Sequence, residues 1–277
     1  MADAYFNNSG DLNDSNNWVD GNGDPYGSVP DFTNSSLTLQ INANVNCNNS
    51  GSVTMNANLN IVSGAIFSNN VNSEFNNNGT LNNAGTFNNS AAFINGSTLN
   101  NSGTFNNDAT GVFTNSGTLN NSSVITNSSG SFSNNSTFNN QNGGTFYNSG
   151  ATLQSNGSIY NNGTFQAADV SSFINLGTFE NNNIFEILSS STFTNDDAST
   201  FANNNSVLVS ASTLFNKNLF TNNKTCTITQ TSSLAMRPNS RFINNGTFVF
   251  GSKYTTLFKG EISPQVPSSA SWGNALL

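Results

Sequence analysis

An apolar residue recurs every six positions through the middle of the chain, inside a hexad that reads roughly Gly-Thr-Phe/Leu-Asn-Asn-Ser. Phe75, Leu81, Phe87, Phe93, Leu99 and Phe105 stand six apart, and the next step, to Phe113, is eight. Beyond it the anchors run Leu119, Ile125, Phe132, Phe138, Phe146, Leu153, Ile159, Phe165, Phe173, Phe179, Phe185 and Phe193, steps of six alternating with longer ones. From Phe93 onward every third anchor lies 19 to 21 residues on, so the spacing predicts a coil of about 20 residues built from three short strands. A helix is excluded, because the anchors do not fall at i, i+3, i+4, i+7 and the hexads are filled with poor helix formers.

Alternate side chains of a strand face opposite sides, so in Thr104-Phe105-Asn106 the Phe points inward and its neighbours outward. The Asn-Asn-Ser-Gly stretches tolerate the left-handed backbone that sharp corners need. One coil cannot bury its anchors alone, but stacked coils align Phe93, Phe113, Phe132, Leu153, Phe173 and Phe193 in one internal column. Leu99, Leu119, Phe138, Ile159, Phe179 and Phe201 form a second column, and Phe105, Ile125, Phe146, Phe165, Phe185 and Val207 a third. Asn side chains in register then hydrogen-bond along the stack as the backbone does. The expected fold is an all-β, single-stranded parallel β-solenoid, and the steps of seven and eight favour a right-handed coil.

Looser alternation at Leu37, Leu39, Ile41, Val45, Val53, Met55, Leu59 and Ile61 opens the array, which fades after Phe248. This divides the chain into an acidic N-terminal cap, 1–36, a solenoid, 37–248, and a C-terminal cap or docking tail, 249–277. Trp18, Pro25, Tyr26 and Pro30 suit the first cap and Pro264, Pro267 and Trp272 the last. At about 4.8 Å per coil the expected rod is roughly 50 Å long.

Composition narrows the chemistry. Among 277 residues there are 59 Asn, 23 Phe, only 20 charged residues and no His. The absence of imidazole removes His-based triads, general bases and metal sites. Low complexity on this scale raises disorder as an alternative, which the regularly spaced Phe residues argue against. No window is apolar enough for a membrane span, and Met1 to Gly10 lacks the pattern of a signal peptide. Cys47 and Cys226, 179 residues or about nine coils apart, are expected as buried free thiols.

Charge is unevenly placed: residues 1–216 carry 13 acids and no base, whereas Lys217, Lys224, Arg237, Arg241, Lys253 and Lys259 face Glu261 alone. That asymmetry makes the basic end a candidate docking element. Six bases over 61 positions make too thin a phosphate footprint for nucleic acid.

Three constellations are candidates for chemistry. Asp20, Asn22 and Asp24, with Asp31 eleven positions after Asp20, echo the oxygen-ligand spacing of a calcium loop. Pro25 stands where that motif has Gly, and an Asx-rich turn explains the same residues. Paired carboxylates for glycoside cleavage would have to come from Glu74, Asp108, Asp169, Glu180, Glu186, Asp196 and Asp197. Asp196 and Asp197 are adjacent and diverge, while Glu180 and Glu186 follow consecutive anchors and sit on different sides. Outward Thr and Asn rows, as in Thr86-Phe87-Asn88, suit ordered water or glycan hydroxyls. The uneven steps work against a regular face, and without an aromatic platform in the repeats sugar binding would rely on multivalency.

The repeats Asn101-Ser102-Gly103-Thr104-Phe105-Asn106 and Asn115-Ser116-Gly117-Thr118-Leu119-Asn120 resemble those of bacterial adhesin and autotransporter-passenger parallel β-helices, and of phage-fibre solenoids. Asn16-Asn17-Trp18-Val19-Asp20-Gly21, followed by Val29-Pro30-Asp31 and Ile41-Asn42-Ala43-Asn44-Val45, is similar to the segment that often precedes such helices. The resemblance spans residues 10–248 and implies a stiff, protease-resistant structural protein with function at its ends or along its faces. Lacking a recognisable signal peptide or C-terminal barrel, the chain is expected as a non-enzymatic fibre, spike or decoration protein on a virion surface. Its expected partners are viral or filament structural proteins, further copies of itself, as in trimeric fibres, and a host glycan. A secreted adhesin passenger that binds glycans or cell surfaces is the alternative, and a polysaccharide-degrading β-helix enzyme the remote one. No cofactor is expected beyond calcium at the N-terminal cap.

Overall fold

The computed structural model describes residues 2–108 and 110–251, and the backbone of Glu261–Pro264. The chain is an all-β parallel solenoid of about 11 coils, with about 20 residues and three strands per coil. Among the described residues the one helical turn is the 3-10 segment Ser15–Asn17. Two compact stretches, 1–138 and 139–277, are described separately.

In residues 1–138, Thr38–Ile41, Asn58–Ile61, Thr80–Asn83, Thr98–Asn101 and Thr118–Asn121 form face one. Asn46–Asn49, Ile66–Asn69, Thr86–Asn89, Thr104–Asn107 and Val124–Ser128 form face two. Ser52–Met55, Glu74–Asn77, Ala92–Asn95, Val112–Asn115 and Ser131–Asn134 form face three. Residues 139–277 repeat the plan: Ser158–Asn161 to Arg241–Asn244 in face one, Thr145–Ser149 to Thr247–Phe250 in face two, Thr152–Ser155 to Ser233–Met236 in face three.

Within each stretch the expected columns form. Phe93 pairs in register with Phe113, and Phe113 with Phe132, their rings 5.0 and 4.7 Å apart. Phe173 pairs with Phe193 at 4.8 Å, and all five are fully buried. Offset or edge-on aromatic contacts at these separations add to the stabilisation from burial alone.

Each strand turns a second residue inward, two positions after the anchor, and it is usually Asn. In face two Nδ2 of Asn49 donates to Oδ1 of Asn69, Asn69 to Asn89, Asn89 to Asn107 and Asn107 to Asn127, at 2.7–2.8 Å. Equivalent ladders run Asn83–Asn101–Asn121 in face one and Asn77–Asn95–Asn115–Asn134 in face three. In the second stretch Asn140–Asn161–Asn181–Asn203–Asn222–Asn244 continues the pattern. The second amide proton crosses the corner to the next face, as from Asn107 to the carbonyl of Ser131 at 3.0 Å. These amides are fully buried or nearly so, a placement tolerable only because their donors are satisfied.

Every inner ladder runs in one direction, the amide donating toward the C-terminal coil. Its first member therefore lacks a donor when the preceding coil offers none. Asn77, Asn83 and Asn175 have unpartnered, buried Oδ1 atoms, and the preceding coils hold Met55, Ile61 and Ser155 at those positions. In face two of 139–277 the inner column opens with Asn148, after which Ala167, Ile187, Val209 and Ile228 replace the amides.

The uneven steps leave the faces regular, contrary to expectation. Thr80, Thr98 and Thr118 lie opposite one another residue for residue, as do Asn82, Asn100 and Asn120, whose amides link at 2.9 Å. Most extra residues are extruded where face two turns into face three. Left-handed Asn72, Ser129, Asp169, Val170, Ser189, Ser190 and Ala211 lie there. Val170 is β-branched at φ 65° with 74% of its surface exposed, so it bears strain with little packing in return. Val170→Gly is expected to raise stability by about 1 kcal/mol, read as a higher thermal midpoint; a lower one would show that the side chain supports the corner.

Candidate functional site

The N-terminal cap closes the core with strands of its own. Ala4–Phe6 pairs in parallel with Thr38–Ile41 and antiparallel with Trp18–Val19, and Gly10–Asp11 extends face two beside Asn46–Asn49. Phe6 and Trp18 meet edge to face at 5.2 Å, and the buried indole donates to the carbonyl of Leu12 at 2.9 Å.

Asp20, Asn22 and Asp24 share one Asx turn. Oδ1 of Asp20 accepts from the backbone N–H of Asn22 at 2.8 Å and of Asp24 at 3.0 Å, and the Asn22 bond leads in holding its carboxyl below the ordinary range. Asp31 caps a separate turn, accepting from the Thr33 hydroxyl at 2.6 Å and its N–H at 3.0 Å; the hydroxyl bond leads in lowering its carboxyl. No three carboxylates or thiols gather among the described residues. The acidic cap thus uses its oxygens to hold turns.

The basic residues divide. Lys217 Nζ lies 3.0 Å from both carboxylate oxygens of Asp196 and 5.6 Å from the Phe215 ring centre. Arg237 pairs with Asp197, so the adjacent acids reach separate cations. Lys224 is exposed and pairs with no acid among the described side chains, and Arg241 is exposed with Glu261 opposite it in the strand register. Lys253 and Lys259, with Pro267 and Trp272 of the expected tail, lie outside the described residues.

Burial pushes the Asp196 carboxyl up, but the Asp197 N–H, the Lys217 bond and the charges of Lys217 and Arg237 outweigh it, and the group titrates below its ordinary value. A depressed carboxylate contributes stability above its unfolded pKa and loses it as pH falls through the folded value. Both partners keep some solvent contact, so the contribution is below about 1 kcal/mol. Urea midpoints taken from pH 6 down to below pH 3.8 are expected to fall less steeply in Asp196→Asn; parallel curves would show that the pair contributes nothing.

Cys47 and Cys226 are free and fully buried. Burial, with the Asp11 charge second, raises the Cys47 thiol, and burial alone raises Cys226, so neither forms thiolate at neutral pH. A thiol reagent is expected to label neither in the native chain and both in urea; native labelling would show that the columns open.

The repeats do contain outward aromatics, which corrects the expectation drawn from the anchors. Tyr147 stands on face two in register with Gln166, which stands beside Glu186, followed by Leu208. Gln166 Nε2 donates to Glu186 Oε2 at 2.8 Å, and Tyr147 is 39% exposed. On face one Tyr160 lies beside Glu180, whose Oε1 accepts from Asn204 at 3.1 Å. Glu180 and Glu186 thus occupy different faces, as expected. Each tyrosine directly follows an inward anchor, Phe146 or Ile159, and so faces outward. Asp169 accepts from the Ser149 hydroxyl at 2.7 Å and Asp108 from Ser90 at 2.9 Å, bonds that staple neighbouring coils.

Among the described residues no helix is long and apolar enough to cross a membrane. Comparison with protein-family models, with curated proteins and with solved structures finds no match for this chain.

Proposed function

We propose that the chain is a non-enzymatic structural appendage, a fibre, spike or decoration protein, docked at one end to a larger assembly such as a virion or filament. The internal amide ladders carry this reading, because the buried polar groups are spent on holding one coil to the next. A solenoid bonded in this way resists unravelling and proteolysis, as an exposed structural element must. The proposed docking element is the basic end, where Lys224 is unpaired among the described side chains, Arg241 is exposed, and Lys253 and Lys259 follow in the sequence.

Electron microscopy of particles isolated gently from the native source, with an antibody to this chain, tests the reading. Label at regular positions on a particle or filament supports it. Label only on free protein overturns it, and a secreted passenger that binds cell surfaces then becomes the account. Turnover of a polysaccharide, lost on changing one carboxylate, would instead favour an enzyme.

A further inference from the structure

Within residues 139–277, face two carries a polar and aromatic row among outward positions that otherwise hold Thr and Ser with Ala168, Ile184, Leu188 and Leu208. Tyr147, Gln166 and Glu186 occupy the same outward position in three successive coils. The tyrosine is 39% exposed, and the amide and carboxylate are tied together by the 2.8 Å bond. That bond uses Glu186 Oε2, leaving Oε1 and the amide oxygen of Gln166 to accept from hydroxyls.

We propose that this row is a subsite for a neutral pyranose chain laid across the strands. An aromatic ring with an available face offers the flat apolar surface on which the C–H face of a pyranose packs, while its hydroxyl end turns away. The neighbouring amide and carboxylate supply oriented acceptors for the hydroxyls of the next ring. Successive strands lie about 4.8 Å apart, so Tyr147 and Glu186 are separated by about 9.6 Å, room for two consecutive rings. The Gln166–Glu186 bond holds both side chains in place before a ligand arrives, which lowers the ordering cost of binding.

Charge selects the class of glycan. Of the acids in residues 139–216, Asp169, Glu180 and Glu186 pair with no base among the described residues, whereas Asp196 and Asp197 are matched by Lys217 and Arg237. This stretch therefore repels sulfated, sialylated or uronic-acid chains and accepts neutral ones. The subsite stands independently of docking, since it is tested on the isolated chain, and a failure of either reading leaves the other intact.

Calorimetric titration of the full chain with cellohexaose, maltohexaose, chitohexaose and a chondroitin sulfate hexasaccharide tests it. At least one neutral hexaose is expected to saturate with a Kd on the order of 1 mM. Tyr147→Ala is expected to weaken that binding about tenfold, whereas Tyr147→Phe, which keeps the ring, binds as the parent does. Gln166→Ala gives a second loss through the hydrogen-bonding half, and unchanged thermal midpoints exclude unfolding as the cause. Saturation by no neutral hexaose, preference for the sulfated chain, or wild-type binding by Tyr147→Ala each overturns the proposal.

Discussion

Asn107→Ala is expected to lower the unfolding free energy by about 3–6 kcal/mol, an effect usually associated with loss of a large apolar side chain. Nδ2 of Asn107 donates to Asn127 Oδ1 at 2.7 Å and to the Ser131 carbonyl at 3.0 Å, while its oxygen accepts from Asn89 at 2.7 Å. Truncation leaves the Asn89 amide and the Asn127 oxygen buried with a partner missing, at about 1–3 kcal/mol each when nothing replaces it, and also removes the bond to the part-buried Ser131 carbonyl. The neighbouring Asn106, which points outward and links to Asn88 at 2.9 Å, provides the comparison. There the amides left behind reach water, and Asn106→Ala is expected to cost roughly 0.5 kcal/mol. Urea unfolding of both variants separates the cases; equal costs would mean that the inner ladder holds no more than the outer one.

Phe193→Ala is expected to cost about 3–5 kcal/mol. Its ring lies 4.8 Å from Phe173, 5.0 Å from Phe201 and 5.1 Å from Phe185, and it is fully buried. The cavity would open among rings already held by their own strands, so little collapse can offset the lost contacts. Phe193→Leu is expected to lose only about 1 kcal/mol, because Leu214 occupies the paired position in the next coil. A small effect of Ala in calorimetric melting would show that the column rearranges to fill the gap.

The contrast between these residues explains what could be read from the chain alone. Phe93, Phe113 and Phe132 announced their column because an apolar side chain at a fixed interval has one physical reason to recur. Asn107 gave no such notice: alternation turns it to the same side as Phe105, but amides usually face water. Its signal was positional, an Asn two residues after nearly every anchor, which surface residues have no need to maintain. The eight-residue step from Phe105 to Phe113 was legible as an irregularity, but only the register shows that its extra residues fall between Thr104–Asn107 and Val112–Asn115. Tyr147 escaped for a related reason, since its neighbours Gln166 and Glu186 lie about 20 and 40 residues away and meet it only through the register.

That register also bears on how such a gene changes. The three faces are written in one hexad, and anchors meet anchors coil after coil. Duplicating or deleting a segment that encodes about 20 residues adds or removes a whole coil and leaves the remaining pairs matched. A single codon inserted within a strand instead turns the following inward residues outward up to the next corner. A whole coil is therefore the change in length that the register tolerates best.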